Sequence, residues 1–246
     1  MASSVALRAA KKELRSLMKQ KLTSISHESI QKQSKTLFDS LTRLRPYVEA
    51  KRIGIYLAMP TGEIQTDSIV RDALGSGKQV FVPYLYKSED RSPDTPKSVM
   101  DMVDIRSIAD YDTLKRDSWG IPTIGADTVS KRERILTHSN TESGELDLIL
   151  MPGVAFDIDP ETAAVRRLGH GKGFYDYFLY RYGRRMDGTP SSPGKDVLLY
   201  GLALEEQLLD SKAGAVVPVG QHDHFLDGLL VGNGNVLETK ISNRTR

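Results

Sequence analysis

"RIGIYLAM", Arg52 to Met59, and "QVFVPYLY", Gln79 to Tyr86, are short runs rich in β-branched and aromatic residues. Between them "TDSIVRDAL" offers Thr66 or Asp67 as a helix cap, followed by an apolar pattern with helical period. Strand, helix, strand is the signature of a right-handed parallel crossover, and it predicts an α/β fold. Working outward, "LDLILMPGVAF", Leu146 to Phe156, is the most apolar segment and reads as a central strand ending in Pro152-Gly153. "DVLLYGLAL" and "DGLLVGNG" supply two more strands and "SVMDMVDI" a weaker one, while "SIADYDTLK" opens with Ser107 and Asp110 at capping-box spacing. Upstream, Leu7, Leu14, Met18, Leu22 and Ile25 recur at helical spacing, and Ser26 is placed to cap a second helix carrying Ile30, Leu37, Phe38 and Leu41.

The expected architecture is a single domain over residues 1–246: one open, mostly parallel sheet flanked by helices in three layers, Rossmann-like and like that of sugar-phosphate isomerases, with two N-terminal helices. Residues 87–98 and 184–196 are polar and Pro/Ser/Gly-rich, and read as surface loops. There is no internal repeat and no domain linker.

Composition narrows the chemistry. The chain has 246 residues, 39% hydrophobic and 27% charged, with a net charge of +2, too small a basic excess to imply a nucleic-acid partner. It contains no cysteine, which excludes a disulfide framework, thiolate metal ligands and a cysteine nucleophile. No apolar run approaches the ~18 residues that span a bilayer, so no membrane partner is expected. The start, "MASSVALRAAKKELRSLMKQKL", has no acid before Glu13 and looks like a mitochondrial presequence as much as a basic helix with Arg8, Lys12, Arg15 and Lys19 on one flank.

In open α/β sheets, ligands bind beyond the carboxyl ends of the strands, where backbone amides and helix N-termini point outward. "RRLGHGKGFYDYFLYRY", Arg166 to Tyr182, puts Gly169, Gly171 and Gly173 just before a predicted helix at Phe174–Tyr182. Glycines there let main chain approach a phosphate, and Lys172 adds a point charge. A mobile surface loop is the plainer alternative. The P-loop and dinucleotide fingerprints are both absent: "LGSGKQV" lacks the upstream glycine and the following Ser/Thr, and "GHGKGF" is one residue short.

"MPGVAFD" followed by "RLGHGKGFYD" resembles the signature of the 5-formyltetrahydrofolate cyclo-ligases, also called methenyltetrahydrofolate synthetases. The likeness extends to "AKKELR", "IGIYLAMPTGEIQT", "SWGIP" around Trp119 and "VPVGQHDHFLD". It implies an ATP- and Mg-dependent ring closure of 5-formyltetrahydrofolate, possibly polyglutamylated, to 5,10-methenyltetrahydrofolate, with release of ADP and phosphate. By that likeness Lys11, Lys12, Glu13, Leu14 and Arg15, with Arg167, Leu168, Gly169, His170, Gly171, Lys172, Gly173, Phe174 and Tyr175, hold ATP. Arg15, Leu57, Glu63, Trp119 and the stretch from His170 through Gly171, Lys172 and Gly173 to Phe174 line the folate site. Lys172 and Arg15 are the catalytic pair, and Asp176 and Asp223 carry magnesium.

Physical chemistry agrees with that assignment. A formyl oxygen is a poor leaving group until phosphorylated, so the reaction needs in-line positioning and charge neutralisation rather than a protein nucleophile. His170 stands where the family often has arginine or tyrosine, and Phe174 where tyrosine is common. The loops at 87–98, 158–166 and 184–196 are long for the family. A monomer in the cytoplasm is expected, with the mitochondrion as the alternative. Rival readings are a sugar-phosphate isomerase on a similar sheet, a non-enzymatic basic-helix protein docking on anions, and zinc bound by His222 and His224 on one face of a strand.

Overall fold

In a computed structural model of the protein, the described residues are 4–88, 90, 92, 95–136, 145–183, 197–211 and 214–239. The loop at 184–196 lies outside them, as does part of 87–98. Six helices, α1 Ser4–Thr23, α2 His27–Leu41, α3 Arg45–Glu49, α4 Asp67–Gly75, α5 Ile108–Asp112 and α6 Phe174–Gly183, surround the sheet. The strands are β1 Arg52–Ile55, β2 Gln79–Lys87, β3 Ser98–Ile105, β4 Lys115–Arg116, β5 Pro122–Thr123, β6 Leu148–Met151, β7 Ala155–Ile158, β8 Val165–Leu168, β9 Leu198–Ala203, β10 Gly228–Val231 and β11 Val236–Glu238.

Seven strands form the main sheet in the order β11-β10-β9-β6-β1-β2-β3. The five inner strands are parallel, and β11 and β3 close the two edges antiparallel. The crossover from β1 through α4 to β2 is therefore as expected, with Ile53 beside Val80. Strand alternation divides the core between the two faces. Ile53, Ile55, Leu148 and Leu150 point to the side of α2 and α4, where they meet Leu37, Ile69 and Val70. Ile149, Met151, Leu199 and Leu229 point to the side of α6, where they meet Phe178 and Tyr182. Burying one such side chain is worth about 1.5–3 kcal/mol, so both layers are needed to hold strands apolar on two faces.

Ser26 caps α2 by accepting from Ser29 N, as its position predicted. Thr66 stands at the N-cap of α4, but its hydroxyl donates to Tyr56 O instead, and no side chain caps that helix. At α5 half the expected capping box forms: Ser107 accepts from Asp110 N, while the Asp110 carboxylate accepts from Arg106 N and pairs with Arg132.

The largest difference from expectation is at "LDLILMPGVAF". The strand stops at Met151 and the chain leaves the main sheet after Pro152-Gly153, to form an antiparallel hairpin of β7 and β8. Part of the presumed long loop 158–166 is the turn of this hairpin, with Asp159 accepting from Glu161 N and Thr162 N. Asp157, fully buried, takes a two-pronged bond from Arg166 at 2.8 and 2.6 Å and accepts from Val217 N at 3.1 Å. Helix α1 lies on this hairpin, its Met18 and Leu14 packed against Val154, Ala155, Leu168 and Val217.

Candidate active site

Residues 169–173 join β8 to α6. Gly171 has φ +96° and Gly173 φ +69°, which explains two of the three alternate glycines: side chains are disfavoured at positive φ. Helix α1 reaches this loop directly. Arg15 Nε donates to Gly169 O at 2.8 Å, and a Cβ built on Gly171 would lie 3.2 Å from the Arg15 guanidinium carbon. Burial lowers the Arg15 pKa and Asp223 opposes the shift, but a guanidinium stays charged at any physiological pH.

One turn earlier, Lys11 Nζ donates to both oxygens of Asp223, at 2.7 and 2.5 Å, and Gly220 N donates to the same carboxylate at 2.6 Å. Helical period separates the five candidates on this segment: Arg15 faces the glycine loop, Lys11 faces Asp223, Leu14 enters the apolar cluster under the hairpin, and Lys12 and Glu13 face solvent.

Arg167 and Leu168 precede the loop in β8 and are both buried. The side chain of Leu168 belongs to the apolar cluster under α1, leaving only its backbone for a ligand. The Arg167 fork is used internally, by Pro152 O at 3.2 Å and Asp176 at 3.2 and 3.4 Å, and its guanidinium lies 5.5 Å from the centre of the Tyr175 ring. The Tyr175 hydroxyl is buried without a partner, and burial raises its pKa. Lys172 is exposed and makes no hydrogen bond or ion pair among the described residues.

The opposite wall comes from the carboxyl end of β1. Leu57 is buried in the core there. Glu63 is only 5% exposed, and its Oε2 accepts from Met59 N at 3.0 Å while Oε1 meets His170 Nε2 at 3.1 Å. The buried hydroxyl of Tyr56 donates to Ile64 O, and burial, then the Glu63 charge, push its pKa well up. Trp119, 70% exposed, sits on a turn in which Asp117 accepts from Trp119 N and Ile121 N. A Cβ on Gly120 would meet Pro60 at 2.7 Å, so this turn is packed beside the segment that leads to Glu63.

One residue that completes this region, Gln207, escaped the sequence reading. Gln207 is buried and donates to Gly153 O at 2.6 Å, tying the end of β9 to the end of β6. His224, a zinc candidate in the sequence, stands 3.8 Å from Asp176 through Nδ1. His222 bonds Gln221 and is exposed, and residues 221–225 are not in a strand, so the two histidines do not form one ligating face. No group of three or more His, Cys, Asp or Glu side chains is gathered among the described residues, and the zinc reading loses its basis.

Asp176 suits a hard cation. Burial pushes its pKa up, but His224 and Arg167 outweigh this and hold it below the usual carboxylate value, so it is ionised. Its bonds to Arg167 are long, and magnesium is commonly held by one or two carboxylates together with substrate phosphates and water. Asp223 is different: Lys11 occupies both its oxygens, and coordination there would require giving up that bond.

A profile of the 5-formyltetrahydrofolate cyclo-ligase family matches residues 7–232. The chain belongs to that family. It is 35% identical over 225 residues to a "Probable 5-formyltetrahydrofolate cyclo-ligase" of Caenorhabditis elegans, covering 92% of this chain and 94% of the relative. It is 33% identical over 229 residues to the "5-formyltetrahydrofolate cyclo-ligase" of Mus musculus, covering 93% and 96%. In fold it is similar to the solved Aquifex aeolicus 5,10-methenyltetrahydrofolate synthetase, with a TM-score of 0.63 at 24% identity over 96% of both chains. In this cyclo-ligase family member the Phe174 ring, partly buried, lies against the core cluster under α6. No described helix is long and apolar enough to cross a membrane.

Proposed function

We propose that this protein catalyses the ATP-dependent conversion of 5-formyltetrahydrofolate to 5,10-methenyltetrahydrofolate. The observation that carries the reading is the junction of α1 with the glycine loop, where the Arg15 guanidinium supports Gly169 and Gly171 from beneath and leaves Lys172 free above. A loop with positive φ, bare of side chains and flanked by fixed and free cations, suits a triphosphate.

In this mechanism the formyl oxygen attacks the γ-phosphorus, the bond to the β-phosphate oxygen breaks, and ADP leaves. The neighbouring amine nitrogen then attacks the formyl carbon. Phosphate departs with the electron pair of the carbon–oxygen bond, and the nitrogen's proton passes to solvent. Lys172 and Arg15 neutralise charge on the transferred group, and the loop amides hold it in line. Glu63 accepts from donors on the folate ring, Leu57 contributes only at the back of that pocket, and exposed Trp119 closes onto the ring as a stacking face. Asp176 would hold magnesium, which would supply positive charge to offset that of the phosphates. Asp223 serves first through Lys11, by fixing α1. Lys12 and Glu13 support the site only as part of that helix.

The chain is read as a cytoplasmic monomer that retains α1, because cleavage beyond Arg15 would remove both side chains that tie this helix to the site. The test is product formation followed by near-ultraviolet absorbance with ATP and a divalent cation present or withheld. Turnover that needs neither would refute the reading.

A further inference from the structure

His170 bridges the two halves of the site. It lies between Gly169 and Gly171 on the glycine loop, yet its Nε2 reaches Glu63 Oε1 at 3.1 Å, on the segment that follows β1. One oxygen of the buried Glu63 carboxylate accepts from Met59 N, and the other carries the contact to His170. The His170 side chain is 48% exposed, and among the described residues its ring is hydrogen-bonded to Glu63 alone. Among the described residues, the side chain that anchors the loop's other side is Arg15, through Gly169 O. Gly171 and Gly173 leave the backbone between and beyond these anchors pliable.

We infer that the His170–Glu63 bond couples the two substrate sites, so that folate held at Glu63 tightens ATP binding at the glycine loop. This rests on the proposed function above. The sign follows from ordering. A folate donor on Glu63 settles the carboxylate in one orientation. The carboxylate settles the His170 ring, and the ring settles the loop, so ATP then meets a loop whose freedom has already been lost. By linkage, ATP must tighten folate binding by the same factor. His170 is thus a positioning residue: it acts on the nucleotide through the loop.

The experiment measures the dissociation constant of a non-hydrolysable ATP analogue by calorimetry, with and without saturating 5-formyltetrahydrofolate. A coupling of about fivefold is expected in the unmodified protein, the low end of the usual range because the imidazole is half exposed. His170→Ala should bring the ratio to one without shifting the thermal midpoint. His170→Gln, which keeps an amide donor, should restore part of it. Glu63→Gln combined with His170→Ala should cost no further coupling beyond either change alone. A ratio of one in the unmodified protein, or a fivefold ratio kept in His170→Ala, would overturn the inference. If instead neither ligand binds the unmodified protein, it is the proposed function that fails.

Discussion

Replacing Gly171 by alanine probes the glycine loop most directly. Its φ of +96° lies beyond the narrow left-handed region near +50 to +70° that L-residues tolerate, and the added methyl would stand 3.2–3.4 Å from three atoms of the Arg15 guanidinium. Left-handed backbone alone costs an L-residue about 1–2 kcal/mol. Arg15 cannot easily retreat, because its Nε is bonded to Gly169 O. Relief must therefore come from the loop, which moves away from the phosphate position. If that cost is felt in the transition state, kcat/KM for ATP falls about 5- to 30-fold. Gly173 provides the control: its φ of +69° is within the left-handed region and a Cβ there meets nothing within 4 Å, so Gly173→Ala should lose less, and Gly173→Asn less still. The assay is the ATP dependence of product absorbance for each variant, with thermal midpoints measured alongside. Gly171→Ala with unaltered kcat/KM, or Gly173→Ala the more damaged of the two, would refute the argument that Arg15 braces the loop.

Lys172→Ala should lower turnover by about two to three orders of magnitude, as loss of one charge-stabilising donor commonly does, while Lys97→Ala on the β3 side should leave it unchanged; equal behaviour in steady-state kinetics would remove Lys172 from the phosphate site. Trp119→Ala should raise KM for the folate while unfolding free energy stays within about 0.5 kcal/mol of the parent, read by denaturant melts, since the ring is exposed. Asp176→Asn should raise the magnesium concentration needed for half-maximal rate, whereas Asp223→Asn should chiefly lower stability by freeing Lys11, a split read from metal titrations and thermal melts. Asp110 has its pKa lowered, first by its bond from Arg132. Its stabilising effect is therefore full above the unfolded carboxylate value near ~3.9 and is lost as pH falls through the lower folded value. Denaturant melts across that acid range should show a shallower loss of stability in Asp110→Asn than in the parent.

The crossover from β1 to β2, the Ser26 cap and the helix after Gly173 were all legible in the sequence, because each depends on local chemistry: period, cap and breaker act within a few residues of one another. The family and the glycine loop were legible for a similar reason, since they are written in contiguous motifs. The β7–β8 hairpin was not. Local composition makes Leu146 to Phe156 one apolar run, and only the packing of Gly153 against the Phe156 ring, with the pairing of Val154 N to Leu168 O, turns it out of the sheet. The motif "KKELR" likewise marks five residues as equals, while tertiary docking directs Arg15 to the loop and Lys11 to Asp223 and leaves Lys12 and Glu13 in solvent. Arg167 carries the charge of a phosphate ligand, yet burial commits it to Asp176 and Pro152. The likeness put His170 and Glu63 in one site, but their direct bond across 107 positions is visible only in the fold. Short-range patterns follow from bonding along the chain, but which charges meet, and which are already spent on each other, is decided only when distant segments share one low-dielectric space.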